Sequence, residues 1–435
     1  MRALLIAAFV LSGAAGLVYE SVWTRYIGLF VGHSAYAQVL VLAVFLGGMA
    51  LGAAATARFA ARIKHPLTWY AGIEIGVAAG GFLFHPVYIR ATNFAYDSLF
   101  PAVSGSSLTV TKWLVAALLI LPQAVLLGAT FPLISSGVIR MDRARESSVD
   151  SAGRTLSILY FANSFGAAVG VLVAGFLLVG AVGLPGTLTS AGFANLLAAS
   201  VALVVAGSLT DDERAPLTDT DAPAAPDVGG HDPAAVRRAL IAVAAGTAVA
   251  SFIYEIAWVR LLSLVLGAAT HSFELMLSAF ILGIALGALW VRRRADSFRD
   301  PLRTLAIVQW VMGVLALATI PFYLMSFAWT AWWLDALTRN ASGYQLFSVV
   351  RYAFCLAIML PATFCAGMTL PLITRTAMSA GGGERAIGTV YSVNTFGSII
   401  GAIVGGLVLI PALGLKGTLV LGATIDMSLG VYLAA

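Results

Sequence analysis

Ionisable side chains occur in this sequence where their neighbours are built for lipid. Glu20 and Arg25 lie in "GLVYESVWTRY" (16–26), inside a run that is otherwise apolar over roughly 3–31. Glu255 and Arg260 stand in the same order in "SFIYEIAWVR" (251–260). A charge inside hydrocarbon is costly, so each such group needs a partner, water or a function. At a helical rise of about 1.5 Å per residue, Glu20 lies about 26 Å and Arg25 about 33 Å beyond Ala3. Against a hydrocarbon core of about 30 Å, both fall near one edge. Five residues turn a helix by about 140°, so Glu20 and Arg25 point to different neighbours. A crossed arrangement, Glu20 with Arg260 and Glu255 with Arg25, suits the duplication. With Glu274 these four make a candidate outer charge clamp of ion pairs, with an extracellular gate or substrate contact as the competing reading. Tyr19, Trp23 and Tyr26 share a helix face at this height and read as an interfacial aromatic belt.

A second polar set sits deeper. Glu74, Asn163, Asn394 and Asp426, with Tyr160 and Tyr391, are the candidate cavity or substrate residues. Asp426 lies near the midplane of the last apolar segment, where an unpartnered carboxylate is most expensive. Asn163 and Asn394 precede small-residue stretches suited to close helix packing, so interhelical hydrogen bonding is the competing reading. Gln123, Asn195 and Gln309 complete the buried polar inventory.

Other chemistries find no support. There is no phosphate-cradling Walker motif, no metal-ligand spacing among the five scattered His, and no Ser–His–Asp pattern. Cys355 and Cys365, about 15 Å apart on a helix, cannot bridge each other and read as packing residues. We therefore assign no catalytic residue, no metal and no cofactor. Whether the chain is an enzyme is left open, with the residues weighing against it.

The elements that must hold these groups follow from composition. The 435 residues are 60% hydrophobic and 10% charged, against about 25% charged in a soluble domain. Long Gly-, Ala- and Leu-rich runs without strand-like alternation make this an all-α polytopic membrane protein. The net charge of +5 resides in loops and reads as an orientation signal rather than a nucleic-acid surface.

One unit is used twice. Tyr19, Glu20, Trp23, Arg25 and Gly32 recur as Tyr254, Glu255, Trp258, Arg260 and Gly267 at a constant shift. "LPQAVLLGATFPLI" (121–134) returns as "LPATFCAGMTLPLI" (360–373), and "YFANSFGAAVGVLVAG" (160–175) as "YSVNTFGSIIGAIVGG" (391–406). Glu74 maps onto Gln309, and Asn195 onto Asp426. The paired prolines of the first motif predict a kink or hinge. Each half divides into about six apolar segments: 1–208 and 239–435 are two parallel six-helix repeats, about 12 transmembrane helices in all, joined by a disordered acidic, Pro-rich linker over 209–238. Arg and Lys follow the even-numbered segments (Arg58, Arg62, Lys64; Arg140, Arg143, Arg145, Arg154; Arg292, Arg293, Arg294, Arg299; Arg375, Arg385). The positive-inside rule then makes both termini and the linker cytoplasmic. The aromatic-rich 327–345 reads as an interfacial helix on the other side.

The Tyr-Glu-x-x-Trp-x-Arg element in both halves, with "LAVFLGGMALGA" and "SAFILGIALGA" after it, resembles the membrane region of the bacterial spermidine synthase-like membrane proteins, a major-facilitator-like region often fused to spermidine synthase. The loops at 52–65 and 287–300 resemble degenerate major facilitator loops. The resemblance implies the bacterial inner membrane and an aminopropyltransferase-like domain or other membrane-complex subunit as partner, besides the lipid bilayer. No residue here matches that catalytic domain. The expectation is a transporter-like protein handling a small polar or cationic solute, polyamine-related by the resemblance; the alternative is a non-transporting scaffold or anchor for a partner enzyme or membrane complex.

Overall fold

The computed structural model describes residues 1–32, 34–59, 62–145, 151–210, 213, 232–266, 271–294, 300–337, 340–383 and 385–434. Most of the 209–238 linker, Gly267 and Arg299 lie outside them. In a chain whose backbone amides cannot reach water, helix is the only open structure that satisfies them. The described residues accordingly form twelve long helices: α1 (Arg2–Val31), α2 (Ser34–Phe59), α3 (Pro66–Phe94), α4 (Ser106–Arg145), α5 (Ser151–Val173), α6 (Val179–Gly207), α7 (Pro233–Leu266), α8 (Ser272–Arg294), α9 (Pro301–Ala336), α10 (Ala341–Ala377), α11 (Arg385–Val404) and α12 (Ile410–Ala434).

Ten helical stretches are long and apolar enough to cross a bilayer. Two of them, Arg154–Gly207 and Arg385–Ala434, run to 54 and 50 residues, far beyond the roughly 20 that one crossing needs. Each is broken at a glycine with positive φ: Gly183 at φ 68°, ψ −178°, and Gly414 at φ 68°, ψ 174°. A side chain would strain that geometry. The chain reverses there: α5 begins beside Arg2, and α6 returns to put Ser208 against Met1. Each of these stretches thus crosses twice, giving six crossings per half.

The duplication is visible atom by atom. In the first half α2 and α4 touch backbone to backbone, because a Cβ on Gly52 would lie 1.9 Å from the Val125 carbonyl oxygen and one on Gly128 2.1 Å from that of Met49. In the second half α8 and α10 repeat the contact, with Gly287 against Phe364 and Gly367 against Ile284. The α1–α5 crossing at Gly166 and Val10 returns as α7–α11 at Gly397 and Ala245. Without a hydrophobic drive between helices in lipid, such close approach is what holds them together.

The halves meet along two seams. In one, Ser278 of α8 donates to the Ala168 carbonyl of α5. In the other, Ser392 of α11 donates to the Ala50 carbonyl of α2, and Gly388 packs on Ala53 and Ala57. At one membrane face Arg2 of α1 pairs with Asp142 of α4 at 3.3 Å and reaches Thr155 of α5, while Arg292 stands near Arg2 and Arg154. We call this the basic face.

Two expectations are corrected. The helices run unbroken through Pro122 and Pro132 and through Pro361 and Pro371; the Thr130 and Thr369 hydroxyls bond the Leu127 and Ala366 carbonyls in the turn before the second proline. The aromatic 327–336 stretch is the far end of the 36-residue α9 rather than a separate interfacial helix, because the backbone stays helical past Pro321 as far as Ala336.

The backbone crossing carries a direct test. Gly52→Ala is expected to destabilise the purified protein by roughly 2 kcal/mol or more through overpacking. At Gly72 an added Cβ would meet nothing within 4 Å, so Gly72→Ala should leave thermal unfolding unchanged or slightly raised. Equal melting temperatures for both variants would contradict the crossing.

Candidate functional site

The polar side chains sort into layers along α1 and α7. Nearest the basic face, Tyr160 of α5 and Tyr391 of α11 both pack on Phe131 of α4, with ring centroids 6.1 Å and 5.0 Å from it. This brings two sequence candidates from different halves onto one ring. Asn163 and Asn394 follow a turn later and are half-buried. The Asn163 backbone lies against Gly13 of α1, so its helix is held close to the first helix.

Glu74 and Asp426 do not join them. Each is fully buried inside its own half. On the α1–α3–α6 side, the Tyr19 hydroxyl donates to Asn195 Oδ1 at 2.8 Å, and Asn195 Nδ2 donates to Glu74 Oε2 at 2.5 Å; Ser12 and Tyr70 lie beside the same carboxyl. On the α7–α9–α12 side, the Tyr254 hydroxyl donates to Asp426 Oδ2 at 2.7 Å, and Thr247 donates to Gln309 Oε1 at 3.2 Å. The expected cavity shared by Glu74, Asn163, Asn394 and Asp426 is thus replaced, for the two acids, by separate knots. The physical reason is that tyrosine and amide partners lie within reach inside each six-helix unit.

The two knots are related by an exchange. The first half has its carboxyl on α3 (Glu74) and its amide on α6 (Asn195). The second has its amide on α9 (Gln309) and its carboxyl on α12 (Asp426). Asp426 Oδ1 and Gln309 Nε2 are left without a hydrogen bond among the described residues, a complementary acceptor and donor.

The outermost layer is a cross-half ion pair. Arg25 of α1 donates to Glu274 Oε1 of α8 at 2.5 Å, and the Glu274 side chain lies over Gly175. Beside it, His271 stacks on Phe176, with centroids 4.5 Å apart. The crossed pairing of the two Glu–Arg elements is therefore not formed: Arg25 takes Glu274 instead, and Arg260 points to the exposed surface. Tyr19, Trp23 and Tyr26 also depart from expectation. They are 0%, 0% and 4% exposed and form a buried aromatic stack with Phe45, Phe84 and Tyr88, since their face of α1 turns into the half rather than to the lipid boundary.

Glu20 and Glu255 remain. They are 8% and 6% exposed and occupy equivalent positions, each about 27 Å along its helix from the equivalent Arg2 and Arg237. Glu20 lies near enough to Glu255 for their charges to interact, and neither carboxyl has a hydrogen bond or ion pair with another described residue. Ile256, next to Glu255, packs into the first half's apolar cluster beside Val18 and Val22, so this is a seam between halves. Two nearby carboxyls without a counter-charge repel each other when both are ionised, which water, a proton or a cation at the seam relieves. The repeat in the sequence places both at equivalent positions but does not reveal that they lie near each other. It also passed over Asp142, the acid inside an Arg-rich helix end that binds Arg2.

No protein-family model and no curated protein sequence matches the chain. Solved structures do match over its whole length. A bacterial homologue of the iron transporter ferroportin in an outward-facing state aligns with a TM-score of 0.61 at 12% identity, covering 100% of this chain and 99% of that one. The major facilitator superfamily transporter FucP in the outward conformation aligns at 0.56 and 16% identity, covering 100% and 97%. The proton:xylose symporter XylE aligns at 0.55 and 12% identity, covering 99% and 94%.

The exchanged knots predict a compensating pair of substitutions. Asn195→Asp alone places two carboxyls in one buried knot and is expected to cost roughly 2–5 kcal/mol. Adding Glu74→Gln recreates the second half's arrangement and should recover most of that loss in thermal unfolding. A double variant no more stable than the single would refute the equivalence.

Proposed function

We propose that this chain, which has the major facilitator fold, is a secondary transporter of a small cationic solute, with Glu20 and Glu255 as its central binding pair; the fold alone fixes no activity. The observation that carries this is the pair itself: two carboxyls at equivalent positions of α1 and α7, buried at the seam between halves, with no counter-charge among the described residues. A structural role would be served better by the pairing that Arg25 and Glu274 achieve nearby, or by the hydrogen bonds that Glu74 and Asp426 receive. Leaving the two carboxyls bare is costly unless a proton or a positively charged solute occupies the site during the cycle.

The surrounding layers fit alternating access, in which one repeat rocks against the other around a fixed site. The Arg25–Glu274 ion pair closes the outer side of the Glu pair, and Tyr160, Phe131 and Tyr391 lie on its inner side. Asn163 and Asn394 supply further polar lining toward the basic face. That face is cytoplasmic in this reading, with the termini on the same side and the protein in a bacterial inner membrane. A polyamine-like solute suits two carboxyls set apart on facing helices. The resemblance to spermidine synthase-like membrane proteins supports the same solute class and an aminopropyltransferase-like partner.

Uptake of radiolabelled putrescine and spermidine into proteoliposomes tests the assignment. Glu20→Gln and Glu255→Gln are each expected to lower uptake at least tenfold while melting temperature holds, and Arg260→Gln to retain most of it. Uptake by both Glu variants at the parent rate, or none by the parent protein for any cation, would overturn the proposal.

A further inference from the structure

A second site lies on the outside of the molecule. At the basic face, a groove of about 350 Å³ runs between α2 and α11, lined by Ala54, Ala57, Arg58, Arg385, Thr389, Ser392 and Val393. Its walls come from different halves, because α2 belongs to the first and α11 to the second.

The charge in the groove has one sign. Arg58 stands in the last turn of α2 and Arg385 opens α11. Both are exposed, and neither takes part in an ion pair among the described residues. None of the described lining residues is a carboxylate. The two hydroxyls are already committed to backbone: Thr389 donates to the Arg385 carbonyl at 2.9 Å and Ser392 to that of Ala50 at 3.0 Å. Among the described residues the groove therefore presents two guanidinium groups with free donors and no carboxylate that would repel an anion.

Its position selects the kind of anion. On α2, Leu51, Ala54 and Arg58 succeed one another at i, i+3 and i+7, the spacing of one helix face. On α11, Arg385, Thr389, Phe396 and Ile400 share one face at i, i+4, i+11 and i+15. Toward the membrane interior these faces carry Leu51 at 58%, Phe396 at 59% and Ile400 at 39% exposure. A ligand seated here has its charged end at the helix termini and an apolar surface running from it into the bilayer.

We propose that this groove binds the phosphate headgroup of an anionic phospholipid between Arg58 and Arg385, with an acyl chain laid along Leu51, Phe396 and Ile400. Guanidinium groups match phosphate oxygens in geometry as well as charge. Because the two arginines come from opposite halves, the bound headgroup ties α2 to α11 and favours the state in which this end of the seam is closed. The site is independent of the Glu20–Glu255 assignment.

Native mass spectrometry of the full chain in detergent tests the proposal, with phosphatidylglycerol, phosphatidylcholine of the same acyl chains, and glycerol 3-phosphate added separately. Phosphatidylglycerol is expected to be retained in preference to phosphatidylcholine, and glycerol 3-phosphate not to be retained. R58A/R385A should lower phosphatidylglycerol occupancy roughly tenfold, as expected for two interfacial charges. R90A, at the far end of α3, should keep it. Should the double variant prove unstable, R58A and R385A singly should each lower occupancy severalfold. Equal retention of the two lipids, unchanged retention in the arginine variants, or binding of glycerol 3-phosphate as strong as that of the lipid would overturn the proposal.

Discussion

Hydrocarbon offers a buried carboxyl neither water nor a counter-ion, and the arrangement of this molecule depends on how each one is accommodated. Glu274 is neutralised by Arg25 from the other half. Glu74 and Asp426 are accommodated inside their own halves by tyrosine and amide donors. Glu20 and Glu255 have only each other among the described residues. The first arrangement joins the halves, the second consolidates each half, and the third sets two like charges near each other at the seam between them.

Glycine makes each half a unit firm enough to hold these groups. The α2–α4 and α8–α10 contacts bring backbones together so closely that a methyl group does not fit, and the same holds where α1 meets α5 and α7 meets α11. The seams between halves are of another kind. They rest on single serine-to-carbonyl hydrogen bonds, small-residue contacts and one ion pair at the outer rim. In the transport cycle we propose, six-helix units closed by backbone contact would rock against each other along these seams. The groove at the basic-face end of the α2–α11 seam lies where a bound lipid would act on such a motion.

Much of this was legible in the sequence. The apolar segments matched the helices closely, and the near-constant shift between halves marked which helices would be equivalent. Height was legible too, because a helix rises by a fixed amount per residue. Direction around the helix was not. Segments apolar on every side show no face, so Tyr19, Trp23 and Tyr26 could not be told from a boundary belt, although they turn inward. The partner of Arg25 was equally hidden, since only the packing of α8 against α5 brings Glu274 to it. The exchange of carboxyl and amide between Glu74–Asn195 and Gln309–Asp426 was written in the repeat, but its meaning needed the helices to be placed side by side.

The central claim is that the Glu20–Glu255 seam opens to water rather than remaining a packed joint. Thiol accessibility tests it most directly. In a chain with Cys355 and Cys365 replaced by alanine, a cysteine in place of Thr24, one turn from Glu20 on α1 with both carboxyls kept, is exposed to a membrane-impermeant maleimide from each side of sealed, oriented vesicles. The account predicts labelling, with a rate from one side that changes when a transported cation is added. A cysteine that stays unlabelled from both sides, with and without cations, would contradict it.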